Sequence, residues 1–200
     1  MKDEDNSKRI FLTFDDGPNE PYTSQILDVL KKFQATASFF VCGENVEYYP
    51  SVAKRIVREG HVIGSHSYSH SRLLTYMGLL SEEIEKTQRV IQKITGIETF
   101  FFRPPWGIST PWIKRYLKDH GFKLILWDID SPDWKKSSVS DIIQNVMGKS
   151  KPNSVVLFHD GKKTNHQSDR SDTLNALPHI IEKLRADGYV FEGVGGHNTF

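Results

Sequence analysis

Short apolar runs, each followed by a few polar residues and then a helical stretch, recur along nearly the whole chain. The runs at 10–14, 37–41, 61–64, 100–102, 122–127, 154–158 and 189–194 have strand length and lie between turn or cap residues. Helical patterns occupy 22–33, 50–59, 81–95, 111–120, 139–147 and 172–187. Pro50 suits a helix start, and Gly60, Gly96, Gly121 and Gly188 suit helix ends. Ser81, with Glu83 and Ile84 behind it, resembles a capped start without forming a strict capping box. Seven strands alternating with helices imply a parallel sheet, because parallel neighbours need crossover connections. A closed or nearly closed barrel and an open doubly wound sheet both satisfy this pattern.

The ionisable residues have a preferred position in that repeat. Asp15 and Asp16 follow the first strand, His66 and His70 the third, and Arg103 the fourth. Asp128, Asp130 and Asp133 follow the fifth, and His159 and Asp160 the sixth. The carboxyl ends of parallel strands share one face, where ligands bind. Five strands ending in charge on that face point to one site rather than to scattered surface polarity.

His66 and His70 are four residues apart, so a helical turn there would set both imidazoles on one side. By itself such a pair is more often two loop histidines. The Asp15–Asp16 pair reverses that preference, because adjacent carboxylates both ionise only beside a cation. Two histidines and one carboxylate with open positions form a catalytic metal set. The second aspartate is then free to take a proton from water. Gly17-Pro18 explains the same stretch as a plain turn, and a turn can itself present the carboxylates. Arg103, stiffened by Pro104-Pro105, is suited to gripping a carboxylate, and His159 to acid catalysis near neutral pH.

Composition narrows the options. The 200 residues suit one domain, with residues 1–8 a polar extension and 9–200 the folded unit. That extension reads as a natural start or as the trimmed end of a longer protein. The 26 basic and 25 acidic side chains leave a net charge of +1 and no footprint for nucleic acid. Cys42 is the single cysteine, so no internal disulfide forms, and it is expected to be a buried, inert thiol. No apolar run approaches the ~20 residues of a membrane helix. His61, His120, His179 and His197 fall off the motif positions and are expected to be structural or exposed. The polar segment 161–172 reads as a loop beside His159, either solvated or touching substrate.

In order along the chain, Thr13-Phe14-Asp15-Asp16-Gly17-Pro18, His66-Ser67-Tyr68-Ser69-His70, Arg103-Pro104-Pro105-Trp106-Gly107, Asp130-Ser131-Pro132-Asp133-Trp134 and Leu157-Phe158-His159 resemble the five motifs of the polysaccharide deacetylases. This is the NodB homology domain, carbohydrate esterase family 4, and the resemblance runs from about Arg9 to Val194. It implies an α/β fold, a distorted (β/α)7-8 barrel. It implies that Asp16, His66 and His70 bind a divalent metal, usually zinc and sometimes cobalt or nickel. Asp15 would be the general base, held by Arg103, and His159 the general acid, with Asp133 adjusting its charge. Pro105, Trp106, Trp134 and Leu157 would bind substrate, Trp134 and Leu157 lining the groove for the acetyl methyl and the Trp106 amide meeting the oxyanion. Trp106 stands where the family often has Tyr. Trp127 is expected in the core.

The implied reaction removes N-acetyl groups from polymers or oligomers containing N-acetylglucosamine, of the peptidoglycan or chitin type, and releases acetate. Removal of O-acetyl groups from xylan is the alternative on the same site, with hydrolysis of cyclic amides behind it. A carbohydrate-binding module would need neither Asp15 nor His159. The resemblance places such a protein outside the cell or at the envelope, although the chain itself carries no signal that separates this from the cytoplasm, and a monomer is expected.

Overall fold

The computed structural model describes residues 8–135, 137–162 and 168–195. Residues 1–7 of the expected extension, His197, and Lys163 and His166 of the polar loop lie outside the described residues. Eight strands are described: β1 (Lys8–Asp15), β2 (Ala37–Val41), β3 (Val62–Ser65), β4 (Phe101–Phe102), β5 (Lys123–Leu124), β6 (Ile129–Asp130), β7 (Ser154–His159) and β8 (Tyr189–Phe191). The helices are α1 (Tyr22–Lys32), α2 (Gly43–Tyr48), α3 (Pro50–Arg58), α4 (Arg72–Met77), α5 (Ser81–Thr95), α6 (Pro111–Asp119), α7 (Val139–Lys149) and α8 (Ser171–Ala186). Every strand pair is parallel, in the order β5-β4-β3-β2-β1-β7-β6, with β8 paired to the start of β1.

The connection between β5 and β6 decides between barrel and open sheet. These are the two ends of the strand order, yet only residues 125–128 separate them in the chain. Laid flat, seven strands would hold their edges about 29 Å apart. Five residue steps reach at most about 18 Å. The sheet therefore curls until its edges nearly meet, giving the distorted barrel. The single strand expected over 122–127 is corrected: only Lys123–Leu124 pairs, as β5, residues 125–128 form the closing segment, and β6 begins beyond the expected strand at Ile129. Its apolar run marked burial in part, with Phe122 and Ile125 buried but Leu126 exposed.

Side-chain alternation does the rest. Ile10, Leu12 and Phe14 of β1, Ala37, Phe39 and Val41 of β2, and Val156 and Phe158 of β7 face the helices in the main core. Phe14 is in register with Phe39 on one side and Phe158 on the other, and its ring stacks on theirs at 5.1 and 5.6 Å. The alternate residues face inward. Phe11, Phe40 and Val155 form a smaller core there with Ile125 and Val194. Above them on the same faces come Thr13 and Asp15 of β1 and Leu157 and His159 of β7, in register as Thr13 with Leu157 and Asp15 with His159. A period of two thus fills the barrel bottom with apolar groups and its mouth with ionisable ones.

Helices α2 and α4 were not expected, because six residues are too few to show a helical period. The capped start at Ser81 is corrected: Leu80 occupies the cap position without a side-chain bond, and Glu83 turns outward to a neighbouring loop. Phe14→Ala should cost about 3–5 kcal/mol of stability, since the cavity opens inside a three-ring stack. Urea denaturation with its midpoint and slope would measure it; a loss under 1 kcal/mol would contradict this packing.

Candidate active site

Arg103 leaves β4 and enters the barrel mouth with no exposed surface. One terminal nitrogen donates to Asp15 Oδ1 and to Thr13 Oγ1, both at 2.7 Å. Nε donates to Ile125 O at 3.2 Å and the other terminal nitrogen to Leu126 O at 3.1 Å, so the guanidinium also pins the barrel's closing segment. The Phe40 ring lies 4.1 Å from it and the Trp127 ring 5.6 Å. Trp127 is half-buried against the inner core, as expected of a structural aromatic. Burial pushes the Asp15 carboxyl above its ordinary value, and the Arg103 charge offsets only part of that. Asp15 is therefore a held carboxylate with more affinity for a proton than a surface aspartate has.

Asp16 sits at a left-handed position, φ 75°, which aspartate tolerates better than most residues. Its Oδ1 lies 3.5 Å from His66 Nε2 and 3.3 Å from His70 Nε2. The helical turn supposed for 66–70 is corrected: the segment is a loop, with left-handed Ser67 (φ 65°) and His70 (φ 49°), and it is this kinked path that brings the imidazoles together. Glu83 Oε2 holds the loop by accepting from the Tyr68 and Ser69 amides and from the Ser69 hydroxyl.

The trio fits a metal. One ligand atom from each of Asp16, His66 and His70 lies within 4.8 Å of the others. Asp16 Oδ1 is buried with no hydrogen-bond partner, an expensive state unless a cation satisfies it. His66 Nδ1 donates to Arg103 O at 2.7 Å, which leaves the Nε2 lone pair facing Asp16. Burial drives the His66 pKa down to about 3, so its ring is neutral, as a ligand must be. Asp15 Oδ2 stands 3.7 Å from His66 Nε2, beside the trio and turned to Arg103 with its other oxygen.

On the strand beside that of Asp15, His159 Nδ1 donates to Asp133 Oδ1 at 2.8 Å. Asp133 Oδ2 accepts from the His159 main-chain amide and from the Thr173 hydroxyl, both at 2.8 Å. Burial alone would lower the His159 pKa; the charge and hydrogen bond of Asp133 outweigh it and lift the value to about 9. At neutral pH the ring is therefore a cation with Nε2 carrying a transferable proton.

Seven of the sequence-derived site residues, Asp15, Asp16, His66, His70, Arg103, Asp133 and His159, thus gather at one mouth. Trp106, half-exposed and left-handed (φ 56°), sets its ring edge-on to His70 at 4.3 Å. It sits in a 3-10 turn behind buried Pro105. Leu157 lies inside the barrel beside Thr13 and Asp130, and half-exposed Trp134 donates its indole N–H to Asp130. Asp128 serves the sheet instead, its carboxylate accepting from the Val155 amide at the edge. Among the other histidines, His61 is buried and accepts from the Ala37 amide, while His120 and His179 are exposed or partly so. Cys42 is buried and burial raises its pKa well above the ordinary value.

The sequence reading gave no site role to Thr13, although it stands in the first motif, nor to Glu83 or Thr173, and saw Arg170 only as part of a polar loop. Each acts through a partner distant in the chain, so no local spacing reveals its part. Asp160, noted only as a strand-end charge, is fully buried; it accepts from Thr23 at 2.6 Å, and burial lifts its pKa to about 7.

The profile of the polysaccharide deacetylases matches residues 2–125. This chain belongs to the polysaccharide deacetylase family. Similar members include a peptidoglycan-N-acetylglucosamine deacetylase of Bacillus cereus, 37% identical over 187 residues, covering 93% of this chain and 66% of the relative. The peptidoglycan-N-acetylmuramic acid deacetylase PdaC of Bacillus subtilis is 39% identical over 186 residues, covering 92% of this chain and 37% of the relative. This chain thus spans about two thirds and a little over one third of the length of those two proteins. A crystal structure of a polysaccharide deacetylase from Bacillus cereus superposes with a TM-score of 0.85 at 34% identity, over 96% of this chain and 95% of that one. No described helix of this family member is long and apolar enough to cross a membrane.

The buried Arg103–Asp15 pair generates a prediction of its own. Arg103→Met leaves the Asp15 carboxylate without its cation and should destabilise the chelated protein by about 3–5 kcal/mol. Adding Asp15→Asn should recover part of that loss. Denaturant titration of both single variants and the double variant measures the coupling; strictly additive effects would contradict the pairing.

Proposed function

We propose that this chain is a metal-dependent hydrolase that removes N-acetyl groups from N-acetylglucosamine-containing polysaccharide of the peptidoglycan type. The observation that carries the reading is the separation of two proton-handling groups around one metal-fitting trio. Asp15 is held beside the trio by Arg103 at 2.7 Å, and His159, protonated on account of Asp133, is its register neighbour on the adjoining strand. The names of the similar proteins support the sugar class, and their cell-wall substrates support work at the cell envelope.

Asp16 with His66 and His70 would hold the cation, and two imidazoles with one carboxylate favour zinc. When bound, a divalent cation polarises the acetyl carbonyl and makes water easier to deprotonate. Asp15 accepts the proton from the attacking water, helped by the burial that raises its proton affinity. Arg103 keeps that carboxylate aimed and out of the ligand set. As the carbon–nitrogen bond breaks, His159 gives its Nε2 proton to the nitrogen, so an amine leaves rather than an amide anion. Trp106 and Trp134 offer exposed aromatic faces at the mouth for sugar rings, and Leu157 an apolar wall for the acetyl methyl. The products are acetate and a free amino sugar.

Acetate release from peptidoglycan and from chitopentaose tests this reading. Chelation should abolish release and zinc should restore it. Asp15→Asn should keep its metal and lose about 100-fold or more in kcat, the usual scale of a lost general base. Full activity after complete chelation, or in Asp15→Asn, would overturn the reading.

A further inference from the structure

His159 can protonate a leaving amine only if its ring is held with Nε2 facing the barrel mouth. That orientation depends on how the Asp133 carboxylate is rotated, because its plane sets the line along which one oxygen meets Nδ1. Asp133 is nearly fully buried, so protein groups and not solvent must hold that rotation. The His159 amide bonds Oδ2, but it belongs to the residue being aimed and cannot serve as an independent anchor.

The independent anchor comes from α8. Thr173 occupies its first turn with 1% exposure, and its hydroxyl donates to Asp133 Oδ2 at 2.8 Å across forty residues of sequence. A threonine in a helix's first turn commonly bonds its own backbone; this one gives its only proton to the acid pair. Arg170, just before α8 and also buried, strengthens the same junction. Its Nε donates to Gly161 O at 2.8 Å, two residues beyond His159, and another nitrogen lies 3.5 Å from Asp133 O. The start of α8 therefore clamps both sides of the Asp133–His159 pair, from a part of the chain outside all five motifs.

We propose that Thr173 is a positioning residue for amine protonation: by bonding one oxygen, its hydroxyl fixes the rotation of the Asp133 carboxylate so that the other oxygen meets Nδ1 and Nε2 faces the leaving nitrogen. The inference rests on the assignment of His159 as proton donor. It predicts a defect confined to substrates whose leaving group needs a proton. An amide needs one, whereas the phenolate of 4-nitrophenyl acetate leaves without one.

The test uses zinc-loaded Thr173→Val, Thr173→Ser and His159→Ala beside the parent, assayed on chitopentaose and on 4-nitrophenyl acetate. Thr173→Val removes the hydroxyl while nearly preserving shape. Its kcat on chitopentaose should fall about 10-fold, the scale of one hydrogen bond to a charged group, with KM unchanged. Its rate on the ester should not change, and Thr173→Ser should recover the amide rate to within about twofold of the parent, the hydroxyl that makes the bond being intact. Equal losses on both substrates, an unchanged amide rate, or a serine variant as poor as valine would overturn the inference. If Val at 173 prevents folding, Thr173→Ala supplies the same comparison. His159→Ala separates the two levels of the account. An amide-selective loss there with none in Thr173→Val removes the role of Thr173 alone; no selectivity in His159→Ala removes the proton-donor assignment and this inference with it.

Discussion

A fully buried guanidinium organises the mouth of this barrel. Arg103 reaches Thr13 and Asp15 on β1 and the carbonyls of Ile125 and Leu126 on the segment that closes the sheet. Its own carbonyl orients His66. One residue just after β4 thereby tempers the burial-raised proton affinity of Asp15, holds the path of the closing segment and, with its main-chain carbonyl, sets the tautomer of His66. Taking a cation out of water is costly unless it is paired and fully hydrogen-bonded. Here the geometry meets that condition, and the energy invested returns as a fixed carboxylate beside the metal-fitting trio.

The two adjacent aspartates owe their different environments to this arrangement. Asp15 continues the strand and points inward, where Arg103 meets it. Asp16 turns through a left-handed backbone and faces two imidazoles. Asp133 raises the proton affinity of His159, the neighbour of Asp15 on the adjoining strand, against the effect of burial. Local surroundings alone thus give two carboxylates and one imidazole three different characters, which in the proposed function serve as the base, ligand and acid that hydrolysis of a stable amide requires.

Much of this was legible in the chain. The strand–helix alternation predicted a parallel sheet, and the clustering of charge after successive strands predicted one mouth. The seven ionisable site residues were marked by their place after strands and by the family motifs. Closure of the barrel was legible only through the family motifs and not from the strand pattern, because residues 122–127 look like one strand whether the sheet is open or curled. Nor was the loop at 66–70, since the spacing of His66 and His70 suits a helical turn equally well, and only the left-handed Ser67 and His70 separate the two. Thr173 and Glu83 were invisible for a third reason. They act on partners distant in sequence, and a threonine or glutamate near a helix start reads as ordinary helix chemistry.

The central claim is that Asp16, His66 and His70 take the metal while Arg103 keeps Asp15 out of its coordination shell. Anomalous diffraction at the zinc edge, from crystals grown with zinc, tests this most directly. The account predicts one ion with Asp16, His66 Nε2 and His70 Nε2 at about 2.0–2.2 Å, and Asp15 still bonded to Arg103. An ion ligated by Asp15 with the Arg103 bond broken, or an ion bound away from the trio, would contradict it.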